Sequence, residues 1–529
     1  MKIVIAEKIA SQAADLLRAE NWTVVEPAAA DLDRELADAD ALIVRSAVKA
    51  DPALFEKAPN LRVVGRAGVG VDNVDLDAAT RRGVLVLNTP GGNATSVAEH
   101  TLALMLSLAR SIPAAAASVR AGRWEKKKFM GRELRGKTLG ICGLGRIGME
   151  VSKRARAMQM IVIAYDPYVS PAVARDTANQ IVSLDELCAR ADYITLHVSL
   201  TPETERMIGT DTLAKMKKGV RIINCGRGEL VDEPALAAAI ASGHVAGAAL
   251  DVFTVEPPPA DHPLARLPQV IATPHIAGST EEAQEIVGIR IAEQVRDYLK
   301  SGVILGAVNV PAPSPEEYRV LAPYLKLAER LGSFVAQIAE GRPHTVRFAL
   351  SGKVAQVNAP LLRNAALKGI LNRLAAERAN LVNAATLAAE RGITLEDVGS
   401  RDTVHSDALR LTLITNERES SAEGAIFYGD QPRLLQADRI HVEAPLEGSL
   451  IFFKNYDVPG VIGRIGTLLG EHQVNIANFS LGRRELRAGE TGPAKAVAVV
   501  HVDGRVPEAV LVSLRKLDPV RYARAVEIG

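Results

Sequence analysis

The sequence predicts an α/β architecture in which one doubly wound parallel unit is inserted in another of flavodoxin-like kind. A mixed α+β segment and a small ferredoxin-like module follow. Two observations predict the insertion. Short apolar β-branched runs alternate with helix-length segments through the first 90 residues, and the same alternation restarts after residue 136. A glycine-rich turn, "GLGRIG", appears only in the second series, at residues 143 to 148. A third observation, strand–helix–strand–strand–helix–strand order over the last 80 residues, predicts the ferredoxin-like module.

In the first series "KIVIA", "ALIVRS", "LRVVGRAGVG" and "VLVLNTP" read as strands buried on both faces of a parallel sheet. A long helix, "NATSVAEHTLALMLSLARSIP", then carries the chain across. The second series runs through "KTLGICGLGRIG", "MIVIAYDP", "YITLHVSL", "VRIINCGRG", "AGAALDVF" and "QVIATPHIAGS". A second helix, "TEEAQEIVGIRIAEQVRDYLKSG", brings the chain back, and the Pro-rich "VNVPAPSPEE" marks a boundary. Expected domains are therefore 1–95 with 283–310, 96–282, 315–445 and 448–529.

The bulk numbers narrow the function. The chain has 529 residues, a net charge of +1 and 48% hydrophobic residues. That balance gives no broad field for nucleic acid or for an acidic membrane. Cys142, Cys188 and Cys225 have no Cys-x-x-Cys spacing, which fits a reducing cytoplasm and excludes a cysteine-rich metal site. "MKIVIAEKIASQAADLL" turns polar after five residues, unlike a secretory leader, and no apolar run reaches membrane-span length.

Gly143, Gly145 and Gly148 follow a predicted strand and open a helix whose first amides are suited to a pyrophosphate. Asp166 ends the next strand, 18 residues past Gly148. A carboxylate there accepts the ribose hydroxyls and repels a 2′-phosphate, so NAD is favoured over NADP. The inserted unit is thus a Rossmann cofactor domain. Arg227, Glu256 and His275 then fall near the carboxyl ends of later strands, where an open α/β sheet places its ligands. A guanidinium fork grips a carboxylate, and a histidine beside a carboxylate exchanges a proton with a hydroxyl or carbonyl. Together they suit alcohol–ketone interconversion next to a carboxylate.

"GLGRIG", "NCGRGELVDEPAL", "ALDVFTVEPP" and "TPHIAGSTEEAQ" resemble the signature stretches of the D-2-hydroxyacid dehydrogenases. "VRSAVKADPALFEKAPNLRVVGRAGVGVDNVDLDAATRRGVLVLNTPGGN" and "ERANLVNAATLAAERGITLEDV" extend the likeness to the long branch acting on phosphoglycerate. The resemblance implies Arg227, Glu256 and His275 as catalytic residues. It implies Arg146 and Ile147 at the pyrophosphate, Asp166 at the ribose and Asp251 at the nicotinamide amide. Cys225, Gly226 and Gly278 join Gly143, Gly145 and Gly148 in the expected cofactor set. The chain departs from the family in "HIAGS", Val69 and Val198.

Arg45 and Arg66 each end a strand of the outer domain, and with Ser46, Gly68 and Asn93 form the expected substrate set. The charge run "WEKKKF" belongs, by resemblance, to an arm that reaches a neighbouring subunit of a homodimer or homotetramer. "NYDVPGVIGRIGTLLGEHQVNIANFS" resembles the ACT regulatory domain, with Asp457, Gly460 and Asn475 as the expected effector set and L-serine as the implied effector. The implied reaction is NAD-dependent oxidation of 3-phosphoglycerate. The competing expectations are a reductase of hydroxypyruvate, glyoxylate or 2-oxoglutarate, and a non-catalytic NAD-sensing protein that would lack the Arg, Glu and His.

Overall fold

The computed structural model describes residues 1–169, 180–356, 358–374, 379–399, 405, 407–485 and 492–529. The chain divides into two compact units, one formed by residues 1–88 with 291–529 and the other by residues 89–290.

The first unit opens with five parallel strands, β1 (Lys2–Ile5), β2 (Thr23–Val25), β3 (Ala41–Val44), β4 (Val63–Arg66) and β5 (Leu85–Leu87), in the order 2-1-3-4-5. That is the flavodoxin-like order. β3 reads Ala-Leu-Ile-Val with every residue buried, as expected of a strand covered on both faces. β3 and β4 are adjacent and in register, Val44 opposite Arg66. Arg45, Ser46, Arg66 and Gly68 therefore share one carboxyl edge.

The second unit holds seven parallel strands: β6 (Thr138–Cys142), β7 (Ile161–Tyr165), β8 (Gln180–Ile181), β9 (Tyr193–Leu196), β10 (Val220–Asn224), β11 (Val245–Leu250) and β12 (Val270–Ala272). Their order is 12-11-10-9-6-7-8. The chain reverses direction across the sheet between β6 and β9, the switch point where such sheets bind their ligands. The long crossing helix is broken. Ala94–Arg110 and Ile112–Arg120 meet at Ser111, whose φ is 51°, with a bend of 64°. Pro113 is the physical reason, since it cannot donate to the preceding turn and its ring would clash there. Among the described residues no single helix is long and apolar enough to cross a membrane; the bent pair alone has the length and composition.

The remainder of the first unit contains two further sheets. β13 (Pro343–Leu350), β14 (Thr394–Val398), β15 (Ala408–Thr415), β16 (Glu419–Phe427), β17 (Gln431–Ala437) and β18 (Ile440–Pro445) run in the order 14-13-15-16-17-18. Only the β13–β14 pair in it is parallel. The last sheet, β19 (Gly448–Tyr456), β20 (Ile476–Arg483), β21 (Lys495–Val502) and β22 (Val520–Ile528), is antiparallel in the order 20-21-19-22. With helices Val461–Glu471 and Glu508–Lys516 it completes the ferredoxin-like module. One apolar core joins it to the sheet before it: Leu331, Phe334, Leu411, Leu434, Leu450, Phe452, Val499 and Val526 belong to the same buried cluster.

Candidate active site

The glycine turn is built by close approach of backbones. Gly143 has φ 92°, and a Cβ on it would lie 2.5 Å from the His197 carbonyl oxygen. A Cβ on Gly148 would lie 2.1 Å from the Gly143 carbonyl, so the helix Arg146–Ala157 can start tight against β6 only with glycine there. Gly145, at the helix N-cap, meets nothing within 4 Å and leaves the amides of Arg146 and Ile147 facing open space. Asp166 closes the turn from β7, accepting from the Leu144 amide at 2.8 Å and the Tyr168 amide at 2.9 Å. Each of its oxygens retains a lone pair for a ribose hydroxyl. An open cradle of free helix amides beside a carboxylate fits the ADP half of NAD.

At the carboxyl ends of β10 to β12 the three charged residues gather on neighbouring turns. His275 Nδ1 lies 2.7 Å from Glu256 Oε2, and Glu256 Oε1 accepts the Phe253 amide at 3.0 Å. The imidazole is half exposed, leaving its far nitrogen to face a reactant. Its backbone is in the left-handed region, φ 51°, held by bonds from its amide to the Asp251 and Thr273 carbonyls. Arg227 follows β10; its carbonyl accepts Asn224 Nδ2 at 2.7 Å and its guanidinium donates to the Gly226 carbonyl at 2.8 Å. Asn224 Oδ1 in turn accepts the Gly226 amide. Gly228 lets this turn abut the Glu256 loop, since a Cβ there would fall 2.0 Å from the Phe253 carbonyl carbon.

Asp251 directly follows β11. It is 1% exposed, and its carboxylate is turned onto the loop that carries His275. It accepts from Thr273 Oγ1 at 2.6 Å, the Ile276 amide at 2.9 Å and the Ala277 amide at 2.8 Å, with His100 Nε2 at 3.4 Å. Burial pushes its carboxyl upward, but these donors outweigh it and hold the group below its ordinary range. Its burial makes it the anchor of the His275 loop.

The remaining expected residues are placed as follows. Asn93 sits beside Gly278, its Nδ2 at 2.6 Å from where a Cβ would stand, and its buried Oδ1 has no partner among the described residues. Cys225 is buried and free, and its thiol is pushed up to about 12 by burial, so it remains a neutral thiol. On the other unit Glu7 accepts the amides of Arg45, Ala47 and Val48, shaping the turn that bears Arg45 and Ser46. The Arg66 guanidinium packs against Gly68 so closely that a Cβ on the glycine would overlap it.

The expected effector residues Asp457, Gly460 and Asn475 flank the first two strands and the first helix of the last sheet. Within one chain Asp457 and Asn475 lie at opposite ends of the last sheet. Asn455, just before Asp457, is in line with Ala496 and Arg483, whereas Ile476, just after Asn475, is in line with Val502 and Ser449. β19 and β20 are parallel, and the intervening helix returns the chain to the starting edge. Asp457 pairs with Arg483 at 3.1 Å and Asn475 donates to Asp503 at 2.6 Å. Gly460, φ 83°, caps the helix Val461–Glu471 at the Asp457 end.

Supporting groups absent from the expected set hold the catalytic loops. Glu233 accepts the Thr254 amide at 2.9 Å and lies 3.1 Å from His262 Nε2, clamping the segment that carries Glu256. His262 stacks edge-on against Phe253. The "DEPAL" and "DHPL" stretches that hold this pair were the available signal, but neither residue follows a strand end.

The glycine turn at a sheet switch point, with an Arg, a Glu–His pair and a carboxylate anchor downstream, defines a dinucleotide-dependent oxidoreductase of 2-hydroxy acids. Comparison with known proteins agrees. The model for the D-isomer specific 2-hydroxyacid dehydrogenase NAD binding domain matches residues 102–277. That for the D-3-phosphoglycerate dehydrogenase intervening domain matches 320–438, and that for the ACT domain 449–518. D-3-phosphoglycerate dehydrogenase of Archaeoglobus fulgidus is 43% identical, with 100% of both chains covered. Among solved structures, D-2-hydroxyisocaproate dehydrogenase aligns with TM-score 0.53 at 27% identity, over 58% of this chain and 99% of its own. A Thermus thermophilus protein, TT0316, aligns with TM-score 0.52 at 36% identity, over 57% of this chain and 97% of its own. The chain belongs to the D-isomer specific 2-hydroxyacid dehydrogenase family, in the branch of the D-3-phosphoglycerate dehydrogenases.

Proposed function

We propose that this chain oxidises D-3-phosphoglycerate to 3-phosphohydroxypyruvate with NAD, the first step of L-serine biosynthesis. The observation that carries the reading is the 2.7 Å pair of His275 and Glu256 on the turn next to Arg227, in a chain matched end to end by relatives bearing that name. NAD, when bound, supplies the hydride acceptor. Arg227 holds the substrate carboxylate and so presents C2 to the imidazole. His275 takes the C2 hydroxyl proton on its free ring nitrogen, and Glu256 stabilises the imidazolium that results. Asp251 and Glu233 keep the two loops in place. Arg45, Ser46, Arg66 and Gly68 receive the phosphate, with Asn93 on the carboxylate side.

We assign substrate binding to residues 1–95 with 283–310, NAD binding to 96–282, and regulation to 315–445 and 448–529. The ACT match supports a small-molecule effector, and L-serine, the end product of the pathway, is our choice. Because one copy separates Asp457 from Asn475, a site using both draws them from two copies, in keeping with a homodimer or homotetramer. Three free buried cysteines suit a cytoplasmic enzyme. A panel of D-3-phosphoglycerate, D-glycerate, hydroxypyruvate and 2-oxoglutarate, followed by NADH absorbance, tests the substrate. Preference for an unphosphorylated acid overturns it.

A further inference from the structure

The helix Ala94–Arg110 lays polar side chains along the segment that carries His275. Ser96 and His100 stand one turn apart on its surface and face that segment together. Ser96 Oγ lies 2.8 Å from Thr280 Oγ1. His100 Nε2 lies 3.2 Å from Thr273 Oγ1 and 3.4 Å from Asp251 Oδ1, with its side chain only 19% exposed.

Among the described residues four donors surround the Asp251 carboxylate. Three of them, the Thr273 hydroxyl and the amides of Ile276 and Ala277, belong to the His275 loop itself. His100 is the one that comes from another element. Thr273 and Ile276 bracket His275 in the chain, and both end on the same oxygen, Oδ1. The position of that oxygen therefore sets the backbone on either side of the histidine. Thr273 spends its hydroxyl proton on Oδ1 at 2.6 Å, so toward His100 its own oxygen accepts. Oδ1 accepts as well. With two acceptors in front of it, His100 Nε2 carries the hydrogen, and the ring completes the donors that a carboxylate removed from water requires.

We propose that His100 is a positioning residue for proton transfer. Its Nε2–H, carried on the long helix, fixes Asp251 Oδ1 and Thr273, and through them the placement of His275 against the substrate hydroxyl. The inference rests on His275 being the proton-transfer group of the proposed reaction. The contacts run from His100 to His275 without passing through Arg227 or the glycine turn. Loss of the donor therefore falls on turnover and spares the binding of substrate and cofactor.

The test is steady-state kinetics of the full chain on the 2-hydroxy acid that the substrate panel selects, with His275→Ala measured alongside. His100→Phe keeps a ring of similar size but loses the donor, and kcat is expected to fall roughly tenfold through misplacement of the reacting group. KM for the 2-hydroxy acid and the NADH dissociation constant are expected to stay within about twofold of wild type. His100→Gln brings an amide N–H to the place of Nε2 and is expected to restore kcat to within about threefold of wild type. A packing role gives the opposite order. His100→Gln no better than His100→Phe, or wild-type kcat in His100→Phe, therefore overturns the proposal. Adding His100→Phe to Asp251→Asn is expected to cost less than about twofold beyond Asp251→Asn alone, and a second tenfold loss overturns action through Asp251. Should Asp251→Asn fold poorly, the Phe and Gln variants decide by themselves. Normal turnover in His275→Ala overturns the reading of the reaction, whereas its loss there beside wild-type kcat in His100→Phe overturns this inference alone.

Discussion

His275 owes its position to backbone as much as to its ring. A non-glycine residue at φ 51° carries strain of about 1–3 kcal/mol, offset here by Asp251, which gathers two amides and a hydroxyl from the same loop. His275→Ala should lower turnover by roughly 10²–10⁴-fold, since proton transfer is lost, while fluorescence titration finds NADH binding close to wild type. A variant with normal turnover removes the histidine from the chemistry. Asp251→Asn should lower turnover as well but through the loop: an amide turned toward the Ile276 and Ala277 amides must leave one donor unpaired, so the melting temperature falls alongside the rate. Arg66→Ala should raise KM for 3-phosphoglycerate far more than for D-glycerate, as hydrogen bonds to a charged group contribute roughly 1.5–3 kcal/mol each. At this scale the sequence was legible where a charged residue falls in the loop after a strand: Arg227 and His275 stand three residues past β10 and β12, and Glu256 six past β11. Asp251 also follows a strand, yet its hold on the His275 loop was not legible, because only three dimensions show that its partners lie 22 to 26 residues onward. Glu233 and His262, 29 residues apart, were invisible for the same reason.

The element that separates folding from binding is the glycine turn. Gly145→Ala meets empty space and should melt like wild type, yet weaken NADH because a methyl intrudes between the helix amides and the pyrophosphate. Gly148→Ala drives a Cβ into the Gly143 carbonyl and should lose both stability and binding. Equal melting losses in the two variants would contradict this division. β9 supplies a second element-scale effect. His197 follows it, with Nδ1 sealed from solvent and Nε2 3.0 Å from Thr195 Oγ1. Burial lowers its pKa from 6.5 to about 4. The folded chain therefore resists a proton that the unfolded chain accepts. Stability from this group is complete above about pH 6.5, declines as pH falls toward 4, and changes no further below that, a total on the order of 3 kcal/mol. His197→Gln should flatten the melting temperature between pH 6.5 and 4, and a slope equal to wild type would deny His197 its part. The sequence showed β9 as a strand but gave no sign of this, since nothing in "LHVSL" marks the histidine as enclosed.

Across the whole molecule, what the sequence divided into four domains is less divided in the packing. The boundary at residues 445 to 448 is real in chain order, yet the sheets on its two sides share one core. Phe334, on helix Pro315–Ile338, stacks edge-on with Phe452 of β19 at 5.7 Å, and Phe452 with Tyr522 of β22 at 6.1 Å. Polar groups repeat the junction. Arg330 donates to the Leu446 and Gly529 carbonyls, Gln337 and Arg373 to the Glu527 carbonyl, and the Tyr522 hydroxyl to the Ile338 carbonyl. Sequence periodicity identifies which face of an element is apolar but not which neighbour covers it, so a ferredoxin-like order read as an independent module. A ligand held by the last sheet would therefore act on a body whose core includes residues of β13 to β18. The consequence is measurable. Phe452→Ala removes a fully buried ring from this shared core and should cost about 3–5 kcal/mol. Because the cost falls on both sheets at once, calorimetry of the full chain should show a single transition for residues 315–529 moving down as a whole. If instead only a small part of that transition moves, the last sheet melts alone and the two domains are mechanically separate.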